Sequence, residues 1–530
     1  MNKLFLNFKN DFPASIVVFF VALPLCLGIA LASGAPLFSG LIAGIIGGVI
    51  VGSLSGSKIG VSGPAAGLAA IVLSAIVTLG GYENFLVAVV LGGIIQLIFG
   101  FLRAGVIGYY FPLSVIKGML TGIGIIIILK QIPNFFGYDE EYAWNFGFIE
   151  KDGGNTITEI FKVVNNIHLG AALIGLISLL LLIFWEQILS KKAKIFNLIQ
   201  GPFAVVVLGI VYFILTKNNE LLSIGPKHMV SVPIPKDASS FINQFSFPNF
   251  AVITNPEVWI IAFTIALVAS LETLLCVEAT DKLDPHKNVT PTNRELLAQG
   301  TGNIISGMIG GLPITQVIVR SSANIQSGGR SKLSAIMHGF FLLISVILIP
   351  TLLNKIPLSV LASVLLIVGY KLAKPTLFKK MYNLGWKQFV PFTVTVFGIV
   401  FTDLLIGIGL GLAVGIVVIL INSYQNSHFL HKEGEGVDGG RIKMTLAEEV
   451  TFFNKGAILK ELDNIPQNSN LELDVSKTRY LDNDIIEILD DFAFKAKERH
   501  INIKLISEHG TTENPPSFIE FFKLEQKQHN

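Results

Sequence analysis

The sequence predicts a polytopic α-helical membrane protein, fourteen transmembrane segments arranged as a 7+7 inverted repeat, followed by a small cytoplasmic α/β domain. Three observations carry that reading. Apolar residues make up 52% of the 530-residue chain and charged residues 14%, with a mean hydropathy of +0.65, which places it among membrane proteins. Segments near the roughly 20 apolar residues that cross a bilayer core recur from Asp11 to about Ile421. After Ser423 the composition becomes that of a soluble domain.

Taken in order, hydropathy with Gly, Pro and charge punctuation sets the spans near 11–32, 36–54, 63–79, 84–102, 113–132, 167–189, 201–216, 255–278, 294–310, 313–328, 333–353, 357–371, 388–402 and 404–421. The opening MNKLFLNFKNDF runs into the first span without a small-residue cleavage site, so that span is expected to be retained. Two spans are short and interrupted: the one opening at SGPAAG and the one containing VIVRSSANIQSGG, which is rich in β-branched residues before a polar centre. Cytoplasmic loops carry the basic excess. Lys3, Lys9, Arg103, Lys191, Lys192, Lys194, Arg330, Lys332, Lys371, Lys374, Lys379 and Lys380 then fall on the inner side, and the acidic loop Gly137 to Ile160 falls outside. Both termini are expected in the cytoplasm and the chain in the inner membrane.

The expected organisation is a transmembrane domain over 1–423, with repeats at about 11–216 and 255–421, a Gly-rich linker over 424–440, and a soluble domain over 441–530. In the last, EEVTFFN, NLELDVS and INIKLIS read as strands and DNDIIEILDDFAFKAKER as an amphipathic helix, a βαβαβ-like order.

Transporter halves often hide a weak repeat whose short, broken segments mark the binding site. Shifting the chain by 255 positions sets Leu41 to Ala65 beside Leu296 to Arg320, with identities at Leu41, Ala43, Gly47, Ile50, Gly52, Gly56 and Ile59. An odd number of spans per half inverts the two copies. That register sets SGPAAG against VIVRSS and makes Ala65 the counterpart of Arg320. Each segment is expected to reach the midplane as extended backbone, which is tolerated only where it is buried or lines a cavity, and then to begin a half-helix. Pro64 suits a first helical position, where a missing N–H costs nothing.

Two half-helix starts facing each other present free N–H groups and about +0.5 charge each, an anion site made of backbone. Arg320 adds a permanent charge. Facing lipid it would cost at least about 2.5 kcal/mol, so it is expected to point into the bundle. Glu272, the other intramembrane charge, sits toward the cytoplasmic end of its span; it faces water there, or pairs with Arg320, or takes up H⁺ or Na⁺ during transport. Glu278 and Asp281 read as a solvated helix end. Cys26 and Cys276 read as small buried residues, Gln96 and Asn324 as interhelical hydrogen bonders, and the runs GLIAGIIGG and AQGTGNIISG as close-packing surfaces. No Walker loop, nucleophile elbow or zinc spacing is present, so neither an enzyme nor a metal, cofactor or nucleic-acid partner is expected.

LETLLCVEATDKLDPHK, followed by NRELLAQGTGNIISGMIGGLPITQVIVRSSANIQSGGRSKLSAI, closely resembles the SulP (sulfate permease) family of anion transporters, as do ALPLCLGIALASG and SGPAAG. The resemblance implies a fold shared with uracil and purine permeases, with third and tenth helices meeting head to head, a cytoplasmic STAS domain, homodimers and elevator-like movement. Members carry sulfate, bicarbonate, chloride or dicarboxylates. The candidate substrate contacts are Ser62, Gly63, Pro64, Ala65, Ala66, Val319, Arg320 and Ser321, with Glu272 matching a carboxylate linked to cation or proton coupling in some members. Three positions depart from the family pattern: Leu25 and Cys26 follow Pro24 where many members read LPQG, Arg320 is absent from sodium-coupled bicarbonate carriers, and Asn483 stands where related soluble domains carry a phosphorylated serine. The expected function is secondary transport of a small inorganic anion, sulfate or bicarbonate, by alternating access with possible H⁺ or Na⁺ coupling. The alternatives are a dicarboxylate carrier, a nucleobase permease, or a channel or regulatory membrane protein.

Overall fold

A computed structural model describes residues 5–105, 112–138, 167–192, 196, 200–234, 244–402, 404–426, 428–433, 441–508 and 510–522. The acidic loop from 139 onward, together with Lys3 and Lys194, lies outside the described residues. The chain divides into two compact units, Met1–Leu412 and Ala413–Asn530.

Among the described residues the first unit holds α1 (Phe8–Ala32), α2 (Leu37–Leu54), α3 (Ala66–Thr78), α4 (Tyr82–Phe101), α5 (Leu113–Phe136), α6 (Leu169–Lys192) and α7 (Gly201–Thr216). A second set follows: α8 (Pro256–Leu283), α9 (Thr292–Met308), α10 (Ile318–Gln326), α11 (Lys332–Leu348), α12 (Leu358–Leu372), α13 (Trp386–Phe401) and α14 (Leu404–Gln425), which runs across the division. These correspond one to one with the expected spans. Eight helices, counted with the short Pro375–Asn383 helix joined to α12, are long and apolar enough to cross a membrane, and α3, α7, α11 and α13 are shorter apolar helices. The least apolar are α9 and α10, which are lined with Gln299, Asn303, Arg320 and Asn324 and bury them all. Helix packing gives two sets that meet along α1: α4 lies against α8 and α9 while α1 lies against α2, α10 and α11; α5 lies against α12 and α13 while α6 lies against α7 and α12, and α1 also lies against α7 and α12. Small residues permit close crossings, as where Gly93 and Gly300 each face the other's carbonyl.

Both short spans begin as extended backbone. The strands β1 (Ser62–Pro64) and β2 (Ile314–Gln316) pair antiparallel, Gly63 opposite Thr315, and are buried throughout. Side chains complete their hydrogen bonding, because no water can: Asn303 Oδ1 accepts from the Ile314 N–H at 2.6 Å and Thr273 Oγ1 from the Gln316 N–H at 3.3 Å. Two expectations change here. Pro64 is not a first helical residue; it pairs with Ile314 in β1, Ala65 is the extended N-cap, and α3 starts at Ala66. The junction equivalent to Ala65 is Val317, an offset of 252 rather than 255, so the counterpart of Arg320 is Leu68 and not Ala65. The helices α2 and α9 keep the 255 register, from Leu37 to Thr292, and the connection before β2 is the shorter one. Composition-driven identities cannot detect such a shift.

The second unit is built on a sheet in the order β3-β4-β6-β8-β9, from β3 (His428–Glu433), β4 (Arg441–Leu446), β6 (Asn470–Asp474), β8 (Asn502–Ser507) and β9 (Gly510–Glu513). Its central strands β4, β6 and β8 are parallel and its edges antiparallel. The expected linker thus contains a strand, β3. The expected EEVTFFN strand reduces to β5 (Glu449–Val450), paired with β7 (Tyr480–Leu481). Reciprocal capping between Thr451 and Asn454 turns the rest into a helical start leading to α15 (Lys455–Asp463). The expected amphipathic helix is α16 (Asn483–Glu498), capped by Asp482 and burying Ile485, Leu489, Phe492 and Ala496.

Candidate functional site

The strand-to-helix junctions define the site. At each, the first-turn N–H groups of a half-helix lack intrahelical partners and carry partial positive charge. The two junctions are brought together by the β1–β2 pair and by α8, whose Glu272 and Cys276 lie one turn apart on one face.

At α10, Arg320 is fully buried, 0% exposed, and among the described residues it makes no ion pair. Its Nη2 donates to Cys26 Sγ at 3.2 Å, while Nε and Nη1 have no hydrogen-bond partner. A Cβ on Gly63 would overlap Nη1, and one on Gly44 of α2 would lie 3.9 Å from it. The guanidinium is therefore held between α1, α2 and β1, its planar fork presenting two free donor positions in a space without a carboxylate. A buried, unpaired cation costs several kcal/mol, and a bound anion is the economical counter-charge.

At α3 the sign is reversed. The Glu272 carboxylate stands over the helix start: a Cβ on Gly67 would lie 2.7 Å from Oε2 and 2.8 Å from Oε1, and the Gly67 N–H is its backbone donor. Oε2 has no side-chain partner. The helix continues to Leu283, so the half-buried Glu272 stands about three turns before its end; among the described residues it does not pair with Arg320. Cys276 faces the Ile318 N–H at the other half-helix start.

The remaining expected contacts sort by what their atoms already do. Ser62 Oγ accepts from Gln299 Nε2 at 2.8 Å. Ser321 Oγ donates to the Val317 carbonyl at 2.9 Å and accepts from the Val61 N–H at 3.0 Å, which locks β1 onto α10. Ala65 and Ala66 form the α3 junction. Val319, 40% exposed, stands in the first turn of α10. Thus Gly63 and Arg320 meet directly, Glu272 meets SGPAAG at Gly67, and Ser62, Pro64 and Ser321 serve as framework. Gln96 and Asn324 are interhelical bonders, to Ser270 and to the Ile59 carbonyl. Glu278 pairs with Lys282 at 2.5 Å on the surface, whereas Asp281 is committed to Thr290, accepting from its N–H at 2.7 Å. Sequence reasoning missed Cys26, Gly44 and Cys276 as site-forming residues. Their signals, a thiol in an apolar run and a glycine in a packing run, are indistinguishable from ordinary membrane packing.

Residues 8–395 match the sulfate permease family. The chain is similar to the Bacillus subtilis protein YvdB, whose name assigns it to sulfate transport, at 25% identity over 94% of this chain and 91% of that one. It is similar to the bicarbonate transporter BicA of Picosynechococcus sp. at 25% identity over 79% of this chain and 71% of that one. Among solved structures, the overall structure of SLC26A9 superposes with a TM-score of 0.73 at 16% identity, over 94% of this chain and 84% of that one, which shows a shared fold.

Proposed function

We propose that this chain, which belongs to the sulfate permease family, binds its substrate anion between Arg320 and the α10 start and carries it across the membrane by alternating access. It is a multi-pass membrane transporter of a small inorganic anion, and the similar proteins named for sulfate and bicarbonate make those two the first candidates. The observation that carries the binding reading is Arg320: fully buried, without an acid, and with two free nitrogen positions beside Gly63. Ser62, Pro64, Ala65, Ala66, Val319 and Ser321 contribute backbone and framework around it. Glu272 at the α3 start is the coupling group for H⁺ or Na⁺, supported by its place at the second junction and its unpartnered Oε2.

The two packing groups support an elevator: α1 to α4 with α8 to α11 would move against α5 to α7 with α12 to α14. Residues 1–423 then form the transport domain and 441–530 a cytoplasmic STAS-like domain, with both termini cytoplasmic, in a homodimer. Radiolabelled uptake into proteoliposomes tests the reading, using sulfate, bicarbonate and dicarboxylates at several pH values with and without Na⁺. Saturable uptake and counterflow of an inorganic anion are expected, with a changed H⁺ or Na⁺ dependence in Glu272→Gln. Conductance without counterflow would instead make the protein a channel, and unchanged ion dependence in Glu272→Gln would remove the coupling role.

A further inference from the structure

On α11, His338 is fully buried beneath the same site. Its Nδ1 contacts the Ala335 carbonyl, and because a carbonyl only accepts, Nδ1 carries a proton. That fixes the tautomer of the neutral ring and leaves Nε2 as a bare lone pair, buried and without a partner. Ordinary packing does not account for it, since an unsatisfied buried acceptor is itself costly.

The ring's place follows from the glycine face of α2. A Cβ on Gly48 would lie 2.8 Å from His338 Cε1; one turn earlier, a Cβ on Gly44 would lie 2.5 Å from Cys26 Sγ, 2.9 Å from Leu342 Cδ1 and 3.9 Å from Arg320 Nη1. His338 and Leu342 are themselves one turn apart on α11, so the α11 face runs from the level of Gly44, beside Arg320, to the imidazole one turn further on. Few other charges compete. From α1 come Cys26, already held by Arg320, and Lys9 and Asp11 at the far end, where Asp11 accepts from the Arg330 and Ser331 N–H groups. Helix α2 has no titratable residue; α10 offers only Arg320; Lys332 opens α11 and contacts the Ser55 carbonyl.

We propose that His338 is a second, proton-dependent contact for the transported anion, the ring being neutral when the site is free and protonated at Nε2 when an anion is bound. With no anion present, an imidazolium would place a second unpaired cation beside Arg320, which the low-dielectric interior disfavours. An anion reverses that balance, and a proton from bulk water then turns Nε2 from an orphan acceptor into a charge-assisted donor. By linkage the same proton strengthens anion binding. The proposal rests on the Arg320 site and adds a proton carrier separate from Glu272.

Equilibrium binding of radiolabelled sulfate and chloride to the purified full chain, between about pH 6 and 8, tests it, because neither anion changes its own charge there. Affinity should rise as pH falls, approaching about tenfold per unit. His338→Asn should still bind in an Arg320-dependent manner but lose that slope. A slope that persists in His338→Asn overturns the proposal. A second measurement needs no change at His338: adding sulfate to the lightly buffered unaltered chain should take up about one proton per anion, and no uptake also overturns it. If neither anion binds the unaltered chain, or if Arg320→Ala binds as tightly as it does, the underlying anion-site reading fails instead.

Discussion

At the start of α3, the free N–H groups meet a carboxylate delivered by a neighbouring helix; at the start of α10, similar N–H groups sit beside a guanidinium that the half-helix carries itself. The backbone at the two places is alike, an extended strand, an extended N-cap residue and a short helix. The charge is opposite. One helix dipole is thus answered within the protein, and the other is reinforced and left for a ligand. Two equal dipole ends alone would offer a symmetric and unselective site, whereas the proposed function gives one end to the substrate and the other to a coupling ion.

Removing the charge at α10 should break the comparison most severely. Arg320→Ala is expected to weaken anion binding by about ten- to a hundredfold, the value of charge-assisted hydrogen bonds at roughly 1.5 to 3 kcal/mol, while Arg103→Gln on the exposed surface leaves it unchanged; equilibrium binding reads both. A smaller effect is expected from adding one carbon at each junction. Gly63→Ala would push against Arg320 Nη1 and should lower anion affinity by about tenfold, in line with overpacking costs of roughly 1 to 3 kcal/mol. Gly67→Ala would push against Glu272 and should alter the pH or Na⁺ dependence of uptake more than the affinity. If both substitutions produced the same phenotype, the division of labour between the junctions would be wrong.

The smallest effect lies in the second unit, where acids are matched by bases in the usual way. Glu472 receives Arg441 at 2.6 Å and Lys443 at 3.2 Å. The Arg441 hydrogen bond, ahead of the opposing effect of burial, holds its carboxyl below the ordinary value of 4.5. A depressed carboxylate contributes stability that is present above the unfolded value and is lost as pH falls through the folded one. Glu472→Gln should therefore slightly lower the stability of this unit near neutrality, by an amount limited by solvent screening of the pairs, and flatten its loss of stability below about pH 4.5; circular dichroism against pH checks it.

Much of this was legible in the chain. Fourteen apolar or interrupted segments emerge at their expected places because span length is set by bilayer thickness and needs no tertiary information. Arg320 and Glu272 stand out for the same reason, as charges where charges are expensive. The strand-to-helix junctions were visible in VIVRSS and SGPAAG through β-branched and Pro-Gly chemistry, but their register was not: a three-residue difference in a Gly-rich connection leaves composition unchanged while moving Arg320 opposite Leu68.

What the sequence determined by itself is the architecture and the sign of the ligand, since burying charge and exposing backbone in hydrocarbon have costs that one dimension already reveals. Only the tertiary structure decided partnership. That Arg320 rests on Cys26 and Gly63 instead of pairing with Glu272, that Glu272 caps α3, and that His338 is buried against Gly48 with Nε2 unpartnered depend on which faces of α1, α2, α8 and α11 converge. Those contacts join residues as far as 294 positions apart, and their geometry is fixed by close packing between helices rather than by any local pattern.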